Sequence, residues 1–372
     1  MKILYTATVL SHICQFHLPY LEAFQARGIE VHVAARDNLA EKNGLQLRFC
    51  DRFFEIPFRR SPASPENLRA YRELKKLVER EQYDLILCNT PMGGIVTRLA
   101  AAKSRKKGTK VAYMAHGFHF YRGAPKKNWL VYYPIEKAMA RLCDLVITIT
   151  EEDYALAKAK FPCAVAHIHG VGVRTERYHP VSREEALALR EKEGLKEGDY
   201  AILCTGELNK NKDQKTLIAA AALLGDAIPN LRILLAGNGP LEQTLREQIR
   251  ENGLEDRVTL LGYRTDLETV VPAMDLIVSC SHREGLPLNI LEAMLCRKAV
   301  VASVNRGHKE LVEEGKTGFL IPPGDPQILA ERIETLYRDP ALAEAMGAAG
   351  FEKARAYTVD AVRAELETAL NL

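Results

Sequence analysis

Residues 281–294 read SHREGLPLNILEAM, a turn that runs into an apolar helical stretch and sets Glu284 and Glu292 eight positions apart. The apolar run LIVSC stands directly before it and AVVAS shortly after, so the segment joins two strands through a helix. Outward from this unit the same alternation fills the second half. YAILCTG, RILLAG, VTLLG and GFLIP read as further strands, and KTLIAAAALLG and LEQTLREQIRENG as helices. The first half repeats the design with KILYTAT, EVHVAAR, FFEIPF, LILCN, KVAYMAH, LVITIT and AVAHIHG as strands, and LPYLEAFQARG and PENLRAYRELKKLVEREQ as helices between them. Strands alternating with amphipathic helices predict an α/β chain built from parallel sheets covered by helices.

At 372 residues the chain exceeds one ordinary core and is expected to form two such domains, joined in the Gly- and Pro-containing segment GVGVRTERYHPVSREE. The expected division is residues 1–172, residues 173–352, and a tail helix over 353–372 that packs back on the first domain. In this design the ligand lies in a cleft, outside the carboxyl ends of both sets of strands.

A composition of 47% hydrophobic and 27% charged residues is that of a globular protein and excludes a disordered or fibrous chain. The start, MKILYTATVLSHICQFHLPY, is broken by His12 and reads as a first strand, not a signal peptide. No run approaches the roughly 20 apolar residues of a membrane span. The eight cysteines form no C-x-x-C pair and read as reduced core residues of a cytoplasmic protein. Net charge is only +3, and nucleic acid is not an expected partner. From Arg98 to Lys127, however, nine basic residues occur with no Asp or Glu. That stretch is either a solvated helix end and loop or a patch for an anionic inner-membrane surface or a phosphate-bearing acceptor.

Several chemistries are disfavoured by spacing. LRILLAGNGPLEQ carries Gly237 and Gly239 after a strand, but Glu242 stands where a dinucleotide fingerprint needs a third small residue, which weakens an oxidoreductase reading. No P-loop, H-E-x-x-H or Asp-x-Asp pattern is present, so a metal-independent mechanism fits better and no metal is expected in the site. In the opening segment, Pro287 suits the first turn of a helix whose unpaired N–H groups attract an anion. Glu284 then reaches hydroxyls on one side of a bound phosphate, and Glu292 reaches those on the other. A nucleotide sugar has that order of groups: ribose diol, diphosphate, sugar diol. TGELNKNKDQKTLI adds Lys210, Lys212 and Lys215 beside Gly206 at another strand's end, where diphosphate charge is neutralised. The plain alternative is a dipole-favouring Glu284 and a surface Glu292.

Taken together, GELNKNK, LLAGNGP, VTLLGYRTDL, SHREGLPLNILEAM, VVAS and ELVEEGKTGFLIPPGD resemble the C-terminal half of the retaining glycosyltransferases of family 4, which have the GT-B fold. YMAHGFHFYRG and PIEKAMARLCDLVITITEEDY extend the resemblance to the N-terminal half, and to the branch that builds capsular and exopolysaccharide repeat units on a lipid carrier. The resemblance implies two Rossmann-like domains facing each other across a cleft. It also implies that Glu284 holds the transferred sugar, Glu292 the ribose, and Lys212 the diphosphate. Leu286 and Leu288 would offer backbone N–H groups, with Gly285 and Pro287 between and beside the acids. Gly262, Tyr263 and Arg264 would flank the base, and Gly206, Glu207, Asn209, Lys210 and Gly237 would complete the donor side. His116 would face the sugar from the first domain, with Ser11, His12, His17, His119 and Tyr121 on the acceptor side.

Two positions depart from the family pattern. Glu207 stands where many members have Arg, which leaves diphosphate neutralisation to Lys212 with Lys210. VLSHICQFH replaces a Gly-Gly loop after strand one, so Ser11 and His12 would occupy that loop. Among the histidines, His116 ends a strand and precedes Gly117, which favours a functional role; His119 reads as a turn residue, and His12 and His17 remain open between the two.

The implied reaction moves a sugar from a nucleotide-diphosphate donor, a UDP-sugar above all, to a polyprenyl-phosphate-linked saccharide with retention at the anomeric carbon. No further cofactor is required. The protein is expected in the cytoplasm, free or peripheral on the inner face of the membrane. The alternative is a non-catalytic nucleotide-sugar binding protein of the same fold.

Overall fold

The computed structural model describes residues 1–41 and 44–372. They form two compact units, one of residues 1–172 with 359–372 and one of residues 173–358. Among the described residues unit 1 contains a seven-stranded parallel sheet: β1 (Lys2–Val9), β2 (Glu30–Arg36), β3 (Arg52–Glu55), β4 (Leu85–Asn89), β5 (Lys110–Ala115), β6 (Leu145–Thr148) and β7 (Ala164–His167). Their order across the sheet is β3-β2-β1-β4-β5-β6-β7. Unit 2 contains β8 (Tyr200–Thr205), β9 (Leu231–Ala236), β10 (Val258–Gly262), β11 (Leu276–Ser279), β12 (Ala299–Ser303) and β13 (Phe319–Ile321), in the order β10-β9-β8-β11-β12-β13.

Both sheets are doubly wound: the order runs outward one way, then reverses, between β1 and β4 in unit 1 and between β8 and β11 in unit 2. Helices cover both faces, so central strands are apolar along their whole length instead of alternating. Ile3, Leu4 and Tyr5 of β1 and Ile202 and Leu203 of β8 are fully buried. At the reversal point the neighbouring strands lead away in opposite directions, leaving a crevice at their carboxyl ends within each unit.

The helix Val359–Leu370 belongs to unit 1. Glu365 receives the backbone N–H of His169 at 2.8 Å and pairs with its Nδ1 at 2.6 Å, while Leu366 and Leu370 are buried. A Cβ on Gly172 would stand 2.7 Å from Val359 Cα, so this glycine permits the close approach.

Three local readings need correction. VLSHICQFH is not a loop: Leu10–Phe16 is helical, because the apolar residues Leu10, Ile13 and Cys14 recur at helical spacing and are buried. Pro287 is not in the first helical turn but is the N-cap of Leu288–Leu295, with extended backbone (φ −79°, ψ 108°). Finally, the Arg98–Lys127 stretch is not one basic face. Arg98 is fully buried: its guanidinium pairs with Glu136 at 2.8 Å and lies 4.0 Å from the centre of the Tyr113 ring. Arg105 pairs with Asp144 at 2.8 Å. The exposed Lys106 and Lys107 precede β5 and Arg122, Lys126 and Lys127 follow it, at opposite ends of a six-residue strand. All eight cysteines are free thiols, six of them buried.

Candidate active site

The site residues of unit 2 come from the two loops that flank its reversal point. After β8 the chain turns at Gly206 (φ 141°) and reaches Lys212; after β11 it reaches Glu284. Asn209 shapes the first loop, since its side-chain oxygen accepts the backbone N–H of Asn211 at 2.9 Å and of Lys212 at 3.0 Å. Asn211 ties the two loops together: its carbonyl accepts the N–H of His282 at 2.8 Å and its amide donates to the carbonyl of Arg283 at 3.0 Å. Lys212 Nζ consequently meets Glu284 Oε1 at 2.7 Å, with both side chains partly buried.

Three glycines make this approach possible. A Cβ on Gly206 would sit 2.9 Å from Lys212 Cε, so any side chain there displaces the lysine. Gly237 (φ 150°) lies against the carbonyl of Gly206, which a Cβ would meet at 2.0 Å. Gly307 lets the helix Arg306–Leu311 press on the second loop, with its missing Cβ 2.4 Å from the carbonyl of Gly285 and 3.0 Å from Glu284 Cβ. Behind that helix start, Ser303 and Asn305 both donate to the carbonyl of Ser281, at 2.6 and 2.8 Å. The second loop is therefore held from below as well as from its neighbour.

Glu292 lies one turn into Leu288–Leu295. Burial raises its carboxyl to about 7; a hydrogen bond from Tyr178 and the charge of Arg177 pull it down, and Glu268 pushes it up. Arg177 is itself held by Glu268 at 2.7 Å. Sequence reasoning missed Tyr178 and Arg177, which belong to the segment joining the two units in sequence. It also missed His308, fully buried beside Glu284 and Lys212. Its Nδ1 lies 2.6 Å from the carbonyl of Ser303, and burial lowers its pKa. The spacing of RGHKE after AVVAS was its only signal.

The remaining donor-side residues divide. Glu207 and Lys210 are exposed, and the Glu207 carboxylate accepts from Asn209 at 2.9 Å. Gly262 receives the N–H of Gly237 on its carbonyl at 2.8 Å, and Tyr263 is 66% exposed beside it. Arg264 is engaged: its guanidinium binds both carboxylate oxygens of Glu193 at 2.8 Å and Asp266 at 2.7 Å. It can therefore flank a base with its backbone, while its charge is already matched. Leu286 and Leu288 are half-buried around the buried Pro287, and Gly285 lies under Gly307.

In unit 1 the residues after β1, β4 and β5 meet at the corresponding reversal point. His116, at the end of β5, places Nε2 3.2 Å from Asn89 Oδ1 and 3.2 Å from His12 Nε2. His17 Nε2 lies 3.4 Å from His12 Nε2. Burial lowers all three imidazoles, His12 to about 4, with the nearby Arg60 charge adding to the effect. Ser11 is buried and exchanges two hydrogen bonds of 3.0 Å with Asn38. His119 is apart from the cluster, stacked on Tyr132 with ring centres 4.7 Å apart. Tyr121 supports the next helix, its carbonyl accepting from Trp129 Nε1 at 3.2 Å.

Residues 2–150 match the family model described as glycosyl transferase 4-like, and residues 186–353 the one described as glycosyl transferases group 1. The putative glycosyltransferase EpsD of Bacillus subtilis (strain 168) is 46% identical over 94% of this chain and 91% of its own. The UDP-Gal:alpha-D-GlcNAc-diphosphoundecaprenol alpha-1,3-galactosyltransferase of Escherichia coli is 29% identical over 73% of this chain and 71% of its own. Among solved structures, Anabaena HepE in complex with UDP-glucose superimposes with a TM-score of 0.78 at 25% identity, covering 100% of both chains.

Proposed function

The chain is a glycosyltransferase that belongs to family 4, with the GT-B fold, and from that premise we propose a retaining transfer of sugar from a UDP-linked donor to a lipid-linked saccharide in cell-surface polysaccharide biosynthesis. Unit 2 takes the donor and unit 1 the acceptor. The observation that carries the reading is the Lys212–Glu284 pair at the reversal point of unit 2, 2.7 Å across. A cation and an anion so placed serve two neighbouring parts of one ligand. Lys212 faces the diphosphate and Glu284 the hydroxyls of the sugar beyond it, while Glu292 receives the ribose diol.

Catalysis then consists chiefly of stabilising the charge that develops on the departing diphosphate. Lys212 and the unpaired N–H groups at the start of Leu288–Leu295 are in place before reaction, so little reorganisation is needed. By analogy with the family, attack comes from the leaving-group face, the phosphate oxygen accepting the acceptor's proton. Two similar proteins support the choice of ligands: HepE is seen in complex with UDP-glucose, and the Escherichia coli enzyme is a galactosyltransferase named for a diphosphoundecaprenol-linked sugar.

The lipid side of the reading rests on the helix Lys126–Met139. No described helix is long and apolar enough to cross a membrane. This one is held inward by Trp129 and Tyr133 against Phe120 and by buried Glu136 on Arg98. Outward it shows Leu130 at 77%, Val131 at 52%, and Tyr132 and Ile135 at 40% exposure, beside exposed Lys126 and Lys127. An apolar ridge flanked by cations suits an anionic bilayer surface, one of the two readings the basic stretch leaves open.

The test is transfer from UDP-sugars to undecaprenyl-diphosphate-linked saccharides, with the product's anomeric configuration read by NMR. An inverted product refutes retention, and absence of transfer from every UDP-sugar while a GDP- or ADP-sugar serves refutes the donor. Flotation with anionic vesicles that wild type and Leu130→Glu follow equally refutes the membrane face.

A further inference from the structure

Three of the seven histidines of unit 1 cluster at its reversal point. We propose that His12, His17 and His116 form a binding site for one divalent transition-metal ion of the zinc class. They come from different places: His12 from the helix Leu10–Phe16, His17 from the junction with the helix Leu18–Ala26, and His116 from the end of β5. Their ligating atoms all lie within 4.8 Å of one another.

Distance is the first argument. Zinc–imidazole bonds of about 2.0–2.1 Å in a tetrahedral site hold neighbouring ligand nitrogens about 3.3 Å apart. The Nε2 atoms of His12 and His116 are 3.2 Å apart, and those of His12 and His17 3.4 Å. The corresponding ring centres are farther apart, at 4.4 and 5.2 Å, so the rings turn their Nε2 edges toward one another.

Proton counting is the second. Asn89 Oδ1 can only accept, so its 3.2 Å contact takes the hydrogen of His116 Nε2. His116 Nε2 then has no lone pair for His12, and no hydrogen for it either. With neutral rings, no choice of tautomers converts all three short contacts into ordinary hydrogen bonds. A metal ion accepts a lone pair from each ring and needs no hydrogen between them; His116 Nε2 then gives up its hydrogen, and Asn89 Oδ1 is left to accept from a metal-bound water instead. Burial keeps the imidazoles in the neutral form that ligates.

Chemistry selects the ion. Three neutral nitrogens suit zinc, cobalt, nickel or copper and are poor ligands for magnesium or calcium. Packing fixes the rings: His17 is fully buried, its ring centre 5.7 Å from that of Tyr5 and 6.1 Å from that of Tyr20. Three protein ligands also leave a coordination position for water or a hydroxyl. The inference stands on unit 1 alone and does not depend on which sugar or acceptor is used.

The test uses the full chain, stripped with a chelator and titrated with Co(II). Expected are the visible bands of tetrahedral nitrogen ligation, saturating at equimolar metal and displaced by Zn(II). His12→Gln and His17→Gln should abolish them and His119→Gln should retain them, with circular dichroism confirming that each variant is folded. Absence of the bands in the wild-type protein overturns the proposal whatever the variants do. So do bands that survive His12→Gln, or near-ultraviolet thiolate charge transfer in their place, which would assign the metal to cysteines.

Discussion

Replacing Glu292 with Gln is expected to flatten a pH dependence that the wild-type protein shows in binding a UDP-sugar. Burial raises the Glu292 carboxyl to about 7, against the partial relief given by Tyr178 and Arg177. A ribose diol donates hydrogen bonds, so the carboxyl receives it best when ionised. With a midpoint of about 7, about a tenth of the population is ionised at about pH 6 and about nine-tenths at about pH 8. The apparent dissociation constant should therefore be about tenfold larger at the lower pH, or about 1.4 kcal/mol. The diphosphate of a UDP-sugar is esterified at both ends and keeps its charge across this window. Calorimetric titrations of UDP-glucose across that range, on wild type and Glu292→Gln, separate the carboxyl from everything else. Less than about a twofold change in the wild type, or the same slope in the variant, refutes the assignment of ribose to Glu292. The unliganded protein should show the linked effect on stability. Its folded carboxyl holds a proton more tightly than the unfolded one, so stability is full below the ordinary carboxylate range and declines as pH rises through about 7.

Three further outcomes are expected. Lys212→Ala should lower kcat by about 10²–10³-fold in a transfer assay while weakening donor binding less, because the lysine matters most when the diphosphate departs. Gly237→Ala should cost about 3 kcal/mol or more in urea denaturation, since a Cβ would meet the carbonyl of Gly206 at 2.0 Å and the backbone holds φ at 150°. Arg98→Ala should cost about 3–5 kcal/mol by the same measurement, as it leaves Glu136 buried without its cation.

The strands were legible because central parallel strands must be continuously apolar, and each quoted run became a strand of the sheet. Lys212 and Glu284 could be located for a related reason, since they sit in turns that follow such strands and turn chemistry is local, and Glu292 because it falls on the helix that the second turn leads into. What was not legible depends on contacts distant in sequence. Nothing in a run of nine basic residues distinguishes Arg98, whose partner Glu136 lies 38 positions away. His12 and His116 are 104 positions apart, and only the sheet order brings β1 and β5 close enough for their rings to meet. Tyr178 sits in a segment that reads as a linker, and its bond to Glu292 exists only once the helix Leu288–Leu295 has docked. In the helix Lys126–Met139, Leu130 and Val131 face outward because Trp129 and Tyr133 already occupy the inner side, which five consecutive apolar or aromatic residues do not reveal.

The division of unit 1 between residues 1–172 and 359–372 has a consequence for biosynthesis. A ribosome delivers the seven strands of unit 1 first and must then make all of unit 2 before the closing helix emerges. At about 5–20 residues per second that interval is about 10–40 s. Throughout it the nascent first unit lacks Leu366 and Leu370, and the apolar surface they cover is open to chaperones. Unit 2, contiguous in sequence, is free to finish folding during the wait, so the unit begun earlier is completed later.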